Sequence, residues 1–424
     1  MEVGPVYNDR MSSASIPSHW DVVIAGGGPA GFFAAIRCAE LNSQLRVLVL
    51  ERAGQTLGKV LISGGGRCNV THACFDPDRL VTFYPRGSRE LRGAFSRFQA
   101  ADTVEWFESR GVRLKTEADG RMFPVTDSSE TIAECLRESA RKAGVDVRVG
   151  LSLMGVKQHP KNGFRLEVRR GADVVSIHTK KLLIATGNDR RTLEVIQGLG
   201  HSIEEPVPSL FTFNIKDPRI EGLAGVSVED VTLKMDTIVQ RGPLLITHWG
   251  LSGPVVLRVS AWGARELHAR KYQARLAVNW LGDTTFERAL DVLQRNRDWK
   301  ENARRKVNTQ QAFSQVPSRL WRQIVQFIGE KNWSDVSKPE LRKLAGELTA
   351  GEFVIQGKGQ FKEEFVTCGG VKLNEVDFKT MQSRVVENLF FAGEVLNIDG
   401  ITGGFNFQSS WTTGWLAGNT LSAG

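Results

Sequence analysis

Three glycines, Gly26, Gly28 and Gly31, stand in the order Gly-x-Gly-x-x-Gly, and an acid, Glu51, follows them. Residues of these types at this spacing hold a dinucleotide. Gly26 permits a tight turn, Gly28 lets a pyrophosphate approach the backbone, and Gly31 lets a helix lie close to a strand. The phosphates then rest on free N–H groups at the helix N-terminus. A carboxylate about 20 residues past the glycines grips a ribose diol and repels a 2′-phosphate, which favours FAD or NAD over NADP as the first nucleotide. Two other residue sets invite chemistry. His248, between a strand and Gly250-Leu251-Ser252-Gly253-Pro254, is the candidate catalytic acid or base. Cys68 and Cys74 lie near where disulfide reductases keep a redox pair, but five residues separate them and separate thiols are expected.

The glycines need elements to position them. Asp21–Ala25 reads as a buried parallel strand, Phe32-Phe33-Ala34-Ala35-Ile36 opens a helix, and Leu45–Leu50 is a second strand that delivers Glu51. A Gly-rich loop is expected over 58–69. Helices are expected near 100–110 and over 129–143, where Ile132, Leu136 and Ala140 share one face and Asp127-Ser128-Ser129 offers caps. Strands follow at 145–149, 164–168 and 181–187. Beyond about residue 201 the pattern becomes antiparallel (210–215, 226–233, 237–248), and from 285 to 348 it turns helical. The stripe Trp321, Ile324, Val325, Ile328 reads as core. Strands return after Phe361 and end at 388–394, and a Gly-rich turn leads to a last helix near 406–420. The expected division is therefore a tail (1–19), a Rossmann-like α/β domain from both chain ends (20–200 and 361–424), an inserted β-rich part (201–282) and an inserted helical part (283–360).

At 424 residues the chain exceeds one small core. It lacks an apolar run of about 20 residues that would span a bilayer. Residues 1–19 lack the apolar stretch of a secretion signal, Met11 is an alternative start, and a cytoplasmic protein without membrane attachment is expected. The net charge of +8 favours anionic ligands. Apart from clusters such as Arg304-Arg305-Lys306, the basic residues are scattered, which reads as solvated surface more than as a nucleic-acid footprint. Five cysteines without a C-x-x-C pair and seven scattered histidines point to neither a disulfide framework nor a metal site.

Three longer segments carry a resemblance: Lys59–Thr71 (KVLISGGGRCNVT), Thr247–Pro254 (THWGLSGP) and Phe391–Asn406 (FAGEVLNIDGITGGFN). Together with Gly26–Gly31 they resemble the two-dinucleotide-binding-domain flavoproteins, and more narrowly the BaiN/YhiN-like FAD/NAD(P)-dependent oxidoreductases, from Trp20 onward. The resemblance implies FAD bound along the N- and C-terminal segments and an inserted middle domain. The cofactor contacts it implies are Gly26, Gly28, Pro29, Ala30, Gly31, Glu51, Arg52, Lys59, Ser63, Gly65, Gly66, Arg67, Cys68, Asn69, Leu153, Ala185, Thr186, Gly187, Gly393, Glu394, Asp399, Gly403, Gly404, Phe405 and Asn406. In that setting Ser63–Asn69 is a nest of N–H groups for phosphate or ribityl oxygens, with Lys59 and Arg67 adding positive charge. Glu394 hydrogen-bonds a ribityl hydroxyl, and the helix opened by Gly403-Gly404-Phe405-Asn406 stabilises negative charge on a reduced flavin.

The chain departs from the family pattern at Asn188–Thr192, where the loop is short, and at Gln408-Ser409-Ser410-Trp411. No second Gly-x-Gly-x-x-Gly follows a mid-chain strand, so NAD(P)H is expected as a transient reductant or not at all. The resemblance implies an FAD-dependent oxidoreductase that moves a hydride between flavin and a small organic substrate or NAD(P)H. The alternatives are a flavoenzyme acting on RNA and a flavin-binding interaction protein without turnover.

Overall fold

The run before the first glycine is a strand because apolar side chains meet apolar neighbours on both of its faces, as a central parallel strand requires. The computed structural model describes residues 16–159, 163–359 and 366–423. The tail expected before residue 16 and the return at Phe361 lie outside the described residues. The strand is β1 (His19–Ala25), followed by α1 (Pro29–Leu41), β2 (Val47–Leu50), β3 (Asp146–Arg148), β4 (Asp173–Ile184), β5 (Leu389–Phe391) and α2 (Phe405–Leu421). These strands form a parallel sheet in the order β3-β2-β1-β4-β5. Register pairing draws one row across it: Arg148, Leu50, Ala25, Ile184, Phe391. Every parallel strand thus ends at the same edge. Short antiparallel strands, Gln382–Ser383 and Val376–Asp377, extend the sheet beyond β5, and the hairpin Leu151–His159/Gly163–Arg170 pairs with β4.

The two ends of the chain share this sheet and also share a helix pair. A Cβ at Gly414 would lie 2.5 Å from Ala30 O, and one at Gly418 would lie 2.8 Å from Ala34 O. The α1 and α2 backbones therefore approach where only hydrogen atoms fit. Around them Phe33, Phe98, Trp106, Phe107 and Trp411 form an aromatic cluster.

Residues up to Pro206 and from Gly369 onward form one compact unit, and Val207–Cys368 forms another. The chain crosses between them in Ile203–Ser209 and Val366–Val371, which pair with each other. The second unit carries a seven-stranded antiparallel sheet, centred on the hairpin Ser227–Met235/Ile238–Thr247. Its helices include Phe286–Asp298, Ser318–Ile324 and Lys338–Ala350. A single hydrophobic core containing Leu276, Trp280, Trp321, Ile324, Val325, Ile328, Trp333 and Leu344 runs through both the sheet and the helices.

The Rossmann-like FAD-binding fold with an inserted β-rich and helical region is the architecture found. Three local expectations change. The 58–69 segment is not all loop: it begins as a helix over Gly58–Gly66, broken at Ser63, Gly64 and Gly65. Ser128 precedes the helix Ser129–Lys142 but makes no side-chain cap bond. The short loop at Asn188–Thr192 is a helix start, because Asp189 accepts from Thr192 N at 3.1 Å and caps Arg190–Gly198.

Candidate functional site

The shared strand edge brings four glycine-bearing segments together. Gly26 has φ +115°, and a Cβ there would lie 2.3 Å from Ala185 O, so the loops after β1 and β4 touch through a glycine. A Cβ at Gly31 would lie 2.0 Å from Gly26 O, which fixes α1 against its own turn. Gly27 N donates to Glu51 Oε2 and Ala53 N to Glu51 Oε1, both at 2.8 Å. Each oxygen keeps a lone pair for a further donor. A Cβ at Gly187 would meet Glu394 Oε2 at 3.6 Å and Lys59 Nζ at 3.8 Å, and one at Gly393 would meet Ala30 Cβ at 2.9 Å. Leu57 N donates to Gly27 O at 2.9 Å, tying the 58–66 helix to the first glycine loop.

Against these close contacts stand positions that face open space. A Cβ at Gly28, Gly65 or Gly66 would meet nothing within 4 Å. Gly28 and Gly404 begin α1 and α2 without a side-chain cap, so both helices present free N–H groups and partial positive charge. A cleft beside Glu51 is lined by Ala25, Leu50, Arg52, Leu151, Ser152, Leu153, Thr186, Asp189, Arg191 and Thr192. Thr186 Oγ1 is buried and has no hydrogen-bond partner among the described residues. Open backbone, uncapped helix ends and an unpartnered hydroxyl fit a pyrophosphate-bearing nucleotide. Arg52 pairs with Asp189 at the cleft rim. Burial pushes the Asp189 carboxyl up, but the Thr192 hydrogen bonds and Arg52 outweigh it and hold the group below the usual carboxylate range.

Other expected contacts are turned to different partners. Lys59 pairs with Glu394, and Arg67 pairs with Glu117 at 2.7 Å while lying 4.0 Å over the Phe123 ring. The positive charge expected beside the Ser63–Asn69 turn is therefore largely neutralised. Ser63 Oγ donates to Val60 O at 2.8 Å. Asp399 is fully buried and pairs with Arg86 through both carboxylate oxygens. The Phe405 ring stacks on His72 and Phe83 at 4.8 and 4.5 Å, and Phe405 O accepts from the Tyr84 hydroxyl. Asn406 bonds both to and from Gly400, at 2.9 and 2.8 Å, and so pins the 400–404 turn. The Asn69 amide, oriented by its surroundings, accepts from Gly404 N and donates to Thr71 O, each at 3.0 Å. Gly403 lies beside it with His72 and Phe405 as neighbours.

Cys68 and Cys74 are separate free thiols. Burial pushes Cys68 up to about 12, so it is protonated at neutral pH and is no nucleophile. His248 lies in the other unit, exposed in the two-residue turn between Ile238–Thr247 and Gly250–Ser252. No group of three or more His, Cys, Asp or Glu able to hold a metal occurs among the described residues. No helix among them is long and apolar enough to cross a membrane.

Sequence reading missed a buried polar network under the last helix. Gln408 Oε1 accepts from Thr71 Oγ1 at 2.6 Å and from Thr103 Oγ1 at 3.0 Å, and Gln408 Nε2 donates to Thr412 Oγ1 at 3.1 Å. Trp411 Nε1 donates to Val70 O at 2.9 Å. The altered stretch 408–411 is thus what holds α2 to the segment after the glycine nest. Arg191 and Asp189 were also missed as cleft residues. The Asp-x-x-Thr cap spacing was the signal available for Asp189.

The chain matches the family model described as HI0933-like protein Rossmann domain over residues 20–420. It is 29% identical over 420 residues to the ribosomal RNA dihydrouridine synthase of Escherichia coli, covering 95% of this chain and 98% of that protein. It is 26% identical over 410 residues to the 3-dehydro-bile acid delta(4,6)-reductase of Clostridium scindens, covering 93% and 97%. Among solved structures, the 3-ketosteroid-delta4-(5alpha)-dehydrogenase of Rhodococcus jostii shares the fold at a TM-score of 0.54, with 15% identity and coverage of 98% and 99%.

Proposed function

This chain belongs to the HI0933-like family, oxidoreductases on an FAD-binding Rossmann fold, and we propose that it reduces a carbon–carbon double bond conjugated to a carbonyl, at the expense of a nicotinamide nucleotide. When bound, FAD would supply the hydride chemistry. The supporting observation is the single sheet edge where open glycines, two uncapped helix ends and Glu51 meet. The N-terminus of α1 and the open face of Gly28 would hold the phosphates, and Glu51 a ribose diol. Gly65 and Gly66 would leave room for the connecting chain. The uncapped end of α2, held by Asn69 and Asn406, would favour negative charge beside it.

The acceptor class comes from the two relatives' names. Dihydrouridine is uridine with its ring double bond saturated, and a 3-dehydro Δ4,6 steroid carries double bonds in conjugation with its ketone. Each reduction adds a hydride to one carbon and a proton to another, so an acid near the acceptor is required.

The test is an anaerobic spectrum of the purified protein titrated with NADPH and NADH. A yellow protein bleached by one of them, then recoloured by a cyclic enone such as 2-cyclohexenone, is the expected result. A colourless protein that cannot be reconstituted with FAD would overturn the reading. A flavin that no reductant bleaches would instead favour a binding protein without turnover. A second reading, an RNA base as acceptor, is favoured by the near full-length match to the ribosomal RNA dihydrouridine synthase. It predicts recolouring by uridine-containing RNA but not by the enone.

A further inference from the structure

The two units differ in charge. The second, Val207–Cys368, holds 24 Lys and Arg against 18 Asp and Glu, while the first holds 31 against 29. Most of the excess therefore sits on the insertion. Its densest stretch is 295–306, where six cations (Arg295, Arg297, Lys300, Arg304, Arg305, Lys306) outnumber two acids, Asp298 and Glu301. Arg295, Arg297 and Lys306 have acidic partners within the unit. Lys300, Arg304 and Arg305 are exposed and form no ion pair with an acid among the described residues.

In the middle of this stretch stands Trp299, 61% exposed, more than any other aromatic residue described. It is not carried on a loose loop. Trp299 ends the helix Phe286–Asp298 and begins Lys300–Ala303. Its N–H donates to Arg295 O at 3.0 Å, and its carbonyl accepts from Asn302 N and Ala303 N at 2.9 Å. Asn302 Nδ2 donates to Asn296 Oδ1 at 2.7 Å across the corner. The backbone that carries the indole is thus hydrogen-bonded on both sides. Exposing so much apolar ring costs free energy in water, and three of the cations close to it in sequence, Lys300, Arg304 and Arg305, have no acidic partner among the described residues.

An exposed indole on a hydrogen-bonded corner, with lysine and arginine close in sequence that form no ion pair, suits a polyanion that also offers aromatic faces. Single-stranded nucleic acid has both: phosphates for Lys300, Arg304 and Arg305, and bases to stack on Trp299. A membrane surface would use the charges, but a lone indole on a short helix corner gives it little apolar area to bury. We propose that the Trp299 corner of the inserted unit is a docking surface for single-stranded RNA. This deepens the second reading above by naming its macromolecular partner, and it can hold or fail independently of whether flavin is bound.

The test uses the full chain, with its 450 nm flavin absorbance recorded alongside, and a fluorescein-labelled 20-nucleotide single-stranded oligouridine followed by anisotropy. Binding that weakens with salt is expected. W299A should weaken it roughly 5- to 100-fold, and W299F should recover most of the loss. R304Q/R305Q/K300Q should lower the slope of log affinity against log salt by about 2. Binding indifferent to both sets of changes, or no binding at low salt, overturns the proposal. So does equal or tighter attachment to vesicles containing 30% phosphatidylserine that depends on the same residues. RNA binding by a protein without flavin would sustain this surface and sink the flavin reading alone.

Discussion

The two units of this chain build their sheets in opposite ways. In the first unit, the five central strands run parallel, so their carboxyl ends and the helix N-termini that follow β1 and β5 accumulate on one edge. Partial positive charges then add rather than cancel. In the second, every strand pair is antiparallel, and successive turns fall at opposite ends. The glycines at the sheet edges differ as well. A Cβ at Gly28 meets nothing, whereas one at Gly250 would sit 2.3 Å from Phe213 O and one at Gly253 would sit 2.9 Å from Leu245 N. Gly28 in the first unit leaves open space beside the helix end, while these two in the second only let strands and turns close. A nucleotide edge is a product of parallel topology, and an antiparallel sheet of similar size has no equivalent place for one.

The sharpest way to break this contrast is at the first glycine loop. G26A should cost more than about 4 kcal/mol, because the backbone must move to clear Ala185 O. Neither folded protein nor flavin is expected in the purified material. G28A should leave thermal stability within about 0.5 kcal/mol, since its backbone suits alanine and the space is open, yet flavin content should fall. A G28A protein that retains all its flavin would refute the assignment of that face. Next, W321A in the second unit should cost about 3–5 kcal/mol, as a fully buried ring is lost from its core. Followed by denaturant unfolding, it should leave the flavin content of the native protein unchanged.

A smaller effect is expected from Q408L, about 1–3 kcal/mol, because the buried Thr71 hydroxyl loses its acceptor while Thr103 keeps Gln99 O. Its flavin should be released at lower temperature, as read by flavin fluorescence. Smaller again is a pH effect in the first unit. Burial lowers the pKa of His201, whose Nε2 lies 2.7 Å from Ser383 Oγ. The unfolded chain therefore takes up a proton near pH 6.5 that the folded chain refuses until lower pH. Stability should be unaffected above pH 6.5 and should fall as pH drops below it, and H201Q should flatten that part of a Tm-against-pH curve. The smallest effect is expected from C74S, which should leave the rate of flavin reduction unchanged.

Much of the first unit could be read from local pattern. The glycine spacing, the apolar runs and Glu51 each act over few residues, and their reasons are steric or electrostatic at short range. The partners of long side chains were not legible. Nothing near Lys59 announces Glu394, and nothing near Arg86 announces Asp399, because each pair depends on folding together segments more than 300 residues apart. Gln408 looked like a mere departure from a family pattern, and its network of threonines emerges only when α2 lies over the 71 and 103 positions. His248 looked like a residue at the end of a strand, but its turn has only two residues, so the ring is exposed. Trp299 was passed over, since sequence alone does not tell a buried indole from an exposed one.

The register row from Arg148 to Phe391 also sets a timetable. Synthesis at about 5–20 residues per second separates β1 from β5 by tens of seconds, with the whole insertion made in between. During that interval Leu182–Ile184 of β4 lack their partner strand, and α1 lacks the helix that later covers it. A bare strand flank attracts other strands, so the growing chain carries an edge open to mispairing until β5 is made. On the proposed reading, cofactor loading would wait for the final helix, and a ribosome stalled before residue 389 would carry a chain without β5 and α2.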